Sequence, residues 1–175
     1  MALIDGMLQE LEEEARTTRR VLERVPDDKL TWRPHEKART LGELAMHVAI
    51  VPGAVAELIT SPSPAQVPQF TDPTTQRASE LVSTLEESIA KAKRVLGGVD
   101  DATLLETWRM VQGEREVFAV PRVALLRSIM LNHWYHHRGQ LTVICANWTC
   151  RSRRFTDRAR TRTPSHDGFQ AKWIN

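Results

Sequence analysis

PRVALLRSIMLNHWYHHRGQLTVI, residues 121–144, is the stretch on which the reading of this chain turns. Leu125, Leu126, Ile129, Met130, His133, His137, Leu141 and Ile144 recur along it at spacings of three and four, the period of one face of an α-helix. Pro121 suits the first position of that helix, where its missing N–H costs nothing. His133 and His137 occupy places on the inward stripe where leucine or valine would be expected.

Working outward, the same period appears three more times. Ile4, Leu8, Leu11, Ala15, Leu22 and Val25 form one face of a first helix, Glu10, Glu12, Glu13, Arg16, Arg19 and Arg20 the other, and Pro26 stops it. Residues 27–39 read as an irregular link around Trp32-Arg33-Pro34, where proline forces an extended backbone. Thr40-Leu41-Gly42-Glu43 has the form of a capping box, so a second helix begins near Leu41. Its stripe is Leu41, Leu44, His47, Val48, Val51 and Val55, with a bend expected at Pro52. Pro62, Pro64, Pro68 and Pro73 mark residues 61–74 as a loop. Leu81, Leu85, Ile89, Ala92 and Leu96 give a third helix ended by Gly97-Gly98. Residues 100–120 lack clear periodicity, apart from a short extended piece at Glu116–Val120. Four long helices without a strong strand pattern predict an all-α four-helix bundle over residues 1–146.

Length and composition agree with one folded domain. The 175 residues are 41% hydrophobic and 26% charged, too apolar for a disordered chain. No apolar run approaches the roughly 18 residues that span a bilayer, and residues 1–10 lack a basic start followed by an apolar stretch. A cytoplasmic protein with no membrane partner is the expectation. The net charge of +2 divides unevenly: residues 1–146 carry 17 Lys and Arg against 20 Asp and Glu, residues 147–175 carry 7 against 2. The body is therefore −3 and the tail +5. A basic tail suggests nucleic acid, but the acidic body and the absence of a basic helix face argue against such a partner. Cys145 and Cys150, five apart, build no disulfide framework.

The histidines carry the functional signal. His133 and His137 lie one helical turn apart and can aim at a common point, while His136 is rotated by about 100° from His137. His47 is the natural third member, because it too interrupts the inner stripe of another helix. Neutral imidazoles suit Zn, Ni, Fe or Cu, and three protein ligands leave a position open. The competing reading is three ordinary histidines, each of which would then need its own hydrogen-bond partner in the core.

Trp32-Arg33-Pro34-His35, then Arg39-Thr40-Leu41-Gly42-Glu43-Leu44-Ala45-Met46-His47, and Leu131-Asn132-His133-Trp134-Tyr135-His136-His137-Arg138-Gly139-Gln140-Leu141 resemble the signature segments of the DinB (damage-inducible), YfiT-like metal-binding superfamily. The resemblance covers residues 1–143. It implies a four-helix bundle of up-down-down-up topology and one divalent metal ion, zinc or nickel, held by His47, His133 and His137. It further implies a cytoplasmic, stress-related protein, with a homodimer as the expected assembly. Relatives that transfer or isomerise with low-molecular-weight thiols point to a small-molecule thiol as partner, activated at the metal. Activation of water for hydrolysis and a non-catalytic metal-binding role are the alternatives.

Around the triad, Asn132, Arg138 and Gln140 could orient an imidazole or a substrate carboxylate, and Arg138 equally suits an ion pair with Glu43. His136 reads as a residue beside the ligands or on the surface. Trp32 and Trp134 are read first as core and second as pocket walls. After Val143 the resemblance stops, and six arginines follow by Arg162. Written in GC-rich codons and read one base earlier, Ile144 onward becomes YLRELDVPVPAVYGPSADEDPF, which restores a helix end, a proline turn and an acidic close. Residues 147–175 are accordingly expected to be a frameshifted tail, which the sequence of the source gene would decide.

Overall fold

The computed structural model describes residues 2–69 and 73–148, so the basic tail from residue 149, with Cys150, lies outside the described residues. In chain order the described residues form α1 (Leu3–Leu22), a 3-10 turn (Asp27–Lys29), α2 (Leu41–Thr60), β1 (Ala65–Gln66), α3 (Ser79–Leu96), α4 (Asp101–Leu105), β2 (Thr107–Gln112), β3 (Arg115–Pro121), α5 (Arg122–Leu125), a π-helical segment (Leu126–Asn132), α6 (His133–Cys145) and a closing 3-10 turn (Ala146–Trp148). The helices enclose one apolar core, with Leu11, Leu22, Leu41, Leu85, Leu96 and Met130 among its fully buried members.

The chain is mostly helical, but it is not all-α. A three-stranded sheet in the order β1-β2-β3 occupies the part of the sequence without helical period, with β1 parallel to β2 and β2 antiparallel to β3. Its cause is legible in hindsight. Trp108 and Met110 alternate with exposed residues and point into the core, the period of two that a half-buried strand requires. Gly113, at φ 62°, supplies the left-handed turn between the two long strands. The loop at residues 61–74 contributes β1 through Ala65↔Met110 pairing. Arg122 then ties the sheet to the helices, its guanidinium donating to the carbonyls of Ile59 and Ser61 at the end of α2.

Among the described residues, α2 is long and apolar enough by length and composition to cross a membrane, with a mean hydropathy of 1.4 over 18 residues, yet 61% of that window is buried in the fold. The sequence shows no uninterrupted run there because Glu43, His47 and Glu57 break it. Pro52 lies inside this helix and removes the N–H that would have reached the Val48 carbonyl. Two neighbours repair the gap. Trp134 donates its indole N–H to Val48 O at 2.8 Å. Ser88 Oγ accepts from Gly53 N–H at 2.8 Å and donates to Ile50 O at 3.0 Å. The close approach of α3 depends on Gly53, where a Cβ would stand 2.9 Å from Ser88 O.

The last helix departs from a simple α-helical stripe. Leu125, Leu126, Met130 and Leu131 are buried, whereas Ile129 is 40% exposed. Leu125 and Met130, like Leu126 and Leu131, are five apart, the spacing that a π-helical turn stacks. A straight α-helix run backward from buried Trp134 would place Arg127, seven residues earlier, on the core face. The π segment turns Arg127 outward, where its Nη1 donates to both carboxylate oxygens of Glu10 in α1, each at 2.8 Å.

Candidate metal centre

His47 is positioned from the start of α2. Thr40 Oγ1 accepts from Glu43 N–H at 3.1 Å, and Glu43 Oε2 accepts from Thr40 N–H at 2.7 Å, completing the capping box. The link before it supplies two more acceptors: Leu41 N–H reaches Trp32 O at 2.8 Å and Gly42 N–H reaches Leu30 O at 2.9 Å. All four interactions consume amides that a helix start leaves open, so the first turn of α2 is anchored before His47 is reached.

His133 and His137 occupy the first two turns of α6, immediately after the π segment. The structure brings all three imidazoles together: one ligand nitrogen from each of His47, His133 and His137 lies within 4.8 Å of the others, and all three residues are half-buried. The ring centroids stand 4.4–5.3 Å apart, each pair edge to face. His47 Nε2 and His133 Nε2 approach to 3.0 Å. Nitrogens on a tetrahedral zinc, at about 2.0–2.1 Å from the ion, stand about 3.3 Å apart, so the observed spacings bracket what one cation needs.

Electrostatics favour the ligand form. Burial, then electrostatic repulsion from His137, Arg39 and His136, holds the His133 imidazole below its ordinary pKa, which favours the uncharged ring that binds a cation. His137 Nδ1 sits 2.8 Å from Gln140 Oε1; with Nδ1 as the donor, Nε2 carries no proton and is the nitrogen able to bind a cation. Among the described residues, no fourth His, Cys, Asp or Glu joins the group, so a cation held there keeps open positions. The donor set, three imidazoles and no carboxylate, fits a borderline transition ion better than magnesium or calcium.

A groove of about 1020 Å³ runs beside His137, walled by Lys37, Arg39, His136 and Gln140 and by the apolar side chains of Leu44 and Ile144. That is at the upper end of the roughly 300–1,000 Å³ of small-molecule sites. Among the described residues that line it, none is acidic.

The other sequence candidates separate. Gln140 touches a triad ring, as proposed. Arg138 does not pair with Glu43; its guanidinium lies 2.5 Å from Glu14 Oε2 and bonds Thr18 Oγ1 at 3.2 Å, because Glu43 is already engaged in the cap while α1 faces α6. His136 is exposed on the groove, its ring 5.1 Å from that of His137, and Asn132 is exposed. Trp134 is fully buried, whereas Trp32 packs edge-on against Trp148 at 4.5 Å. Tyr135, which carried no sequence signal, donates to Glu10 Oε1 at 2.9 Å, and burial, with that carboxylate, pushes its phenol well above the ordinary tyrosine range. Only the packing of α1 against the last helix reveals that role.

Residues 2–147 match the model of the DinB family. Among solved structures, a DinB-like protein from Bacillus cereus ATCC 10987 superposes with a TM-score of 0.62 at 23% identity, covering 82% of this chain and 91% of that one. A DinB-like protein (YjoA) from Bacillus subtilis superposes with a TM-score of 0.60 at 18% identity, with the same coverage of 82% and 91%. These likenesses are of fold. No curated protein matches the chain significantly.

Proposed function

The chain belongs to the DinB family, and from that premise we propose that His47, His133 and His137 hold one divalent cation, zinc or nickel, in a protein that activates a small thiol for transfer to an electrophile. The bundle carrying the site is read as four helices in up-down-down-up order. The observation that supports this most directly is the meeting of three half-buried imidazoles from two separate helices, with no fourth protein ligand among the described residues.

A divalent ion in that position supplies Lewis acidity, which lowers the pKa of a thiol or water that reaches it. The chain's own residues do the rest. Gln140 fixes the tautomer of His137. Lys37 and Arg39 give the groove a positive wall that draws a negatively charged reactant toward the triad, and Leu44 and Ile144 give it an apolar one. The expected substrate is a small thiol carrying carboxylates, and the expected assembly is a homodimer in the cytoplasm.

Elemental analysis of tag-free protein tests the metal: about one ion per chain in the wild type, and far less in His47→Ala and His137→Ala. Titrating the cobalt- or nickel-loaded protein with glutathione and cysteine tests the reaction class. A shift of the visible bands supports thiol activation. Metal binding with no response to any thiol, but with hydrolytic turnover, would transfer the reading to water; metal binding without turnover would leave a non-catalytic stress-response protein. Absence of metal from wild type, with none taken up on titration, overturns the whole reading.

A further inference from the structure

The geometry points to Trp134 as the residue that sets the register of α6 against α2 and so fixes the separation of His133 from His47, by bonding to the one α2 carbonyl that Pro52 leaves open. This rests on the metal reading above. His47 immediately precedes Val48, and His133 immediately precedes Trp134. The indole-to-carbonyl bond, Trp134 Nε1 to Val48 O at 2.8 Å, is therefore one residue removed on each helix from the 3.0 Å approach of the two imidazoles.

Apolar packing is non-directional and would tolerate small slides of one helix along another, whereas one residue of helix rise is about 1.5 Å. A metal site tolerates errors of only about 0.2 Å in its ligand distances. Trp134 has 0% exposure, so its N–H has no water to turn to, and Val48 O has lost its helical donor at Pro52. Donor and acceptor thus satisfy each other in one relative placement of the helices. The need for such a device is local: the π-helical segment Leu126–Asn132 ends just before His133, so the turn that feeds α6 has a different twist from the α-helix it enters. Trp134 fixes the helix in its first turn after that change.

Three variants test this: Trp134→Phe, Pro52→Ala, and the two together. Replacing the proline by alanine returns a backbone N–H to Val48 O, so the double variant removes the indole without stranding the carbonyl and separates loss of register from the general destabilisation that Trp134→Phe also brings. Cobalt affinity by chelator competition is expected to fall about 10–100-fold in Trp134→Phe and in the double variant, while Pro52→Ala stays within about twofold of wild type. In the metal-free proteins, NMR cross-relaxation between the His47 and His133 ring protons should be present in wild type and Pro52→Ala and lost in both indole-less variants. Wild-type affinity in the double variant, or ring contacts that persist in it, overturns the proposal. If wild type takes up no cobalt, the metal reading fails, and the ring contacts alone then decide the register claim: loss with the indole upholds it, and persistence or absence from wild type sinks it.

Discussion

Ser88→Ala should be among the most damaging single-atom changes outside the triad. Ser88 is 6% exposed, and its hydroxyl serves α2 twice, accepting from Gly53 N–H and donating to Ile50 O on either side of Pro52. Removing it forfeits two hydrogen bonds in a buried place, each worth about 0.5–1.5 kcal/mol. The expected loss is therefore about 1–3 kcal/mol, a large share of the roughly 5–15 kcal/mol that holds a domain together. Urea unfolding of the metal-free protein, monitored by circular dichroism, would read this as a fall of about 0.5–1.5 M in midpoint for a slope of about 2 kcal/mol/M. A loss below about 0.5 kcal/mol would refute the account of how Ser88 supports α2 beside its proline.

Three further outcomes follow from the same contacts. Burial raises the Glu10 carboxyl, but hydrogen bonds from Arg127 and Tyr135 and the Arg127 charge together bring it below its ordinary value. Its contribution is then present above about pH 4.5 and lost as pH falls through the lowered folded value, so Glu10→Gln should flatten the acid limb of a stability–pH curve; because the ion pair is exposed, the difference should be about 1 kcal/mol or less. Zinc or nickel at about a hundred times its dissociation constant should add about 2.7 kcal/mol and raise Tm by about 5–10 °C in calorimetry, an increase absent from His133→Ala. Arg122→Met, which removes a charged donor from the Ile59 and Ser61 carbonyls, should lower stability by about 2–3 kcal/mol in denaturant titration.

Most of the helical framework was legible because its causes are local. The Thr40–Glu43 box announces a helix start within four residues, and the leucine spacing of α1 and α3 reports a buried face through repeats of three and four. The same locality put His133 and His137 on one side of a helix, one turn apart. Glu116–Val120 read as extended and forms most of β3, but its partner β2 was not legible because two alternating residues, Trp108 and Met110, are too short a signal until the neighbouring strand is in place. Ile129 was assigned to the core because a single sequence does not announce a π turn; the extra residue is accommodated only once Leu126 has somewhere to pack and Arg127 has Glu10 to meet.

From its own residues, then, the chain determined which helices form, where α2 begins, and that three imidazoles interrupt apolar stripes on two of them. Tertiary structure alone decided that those rings meet within a few ångströms, that Arg138 faces Glu14 rather than Glu43, and that a tryptophan indole stands in for the amide that Pro52 lacks. The division has a physical origin: helix period and capping are settled within a few residues of chain, whereas the separation of two side chains 86 positions apart depends on how one helix is slid and rotated against another.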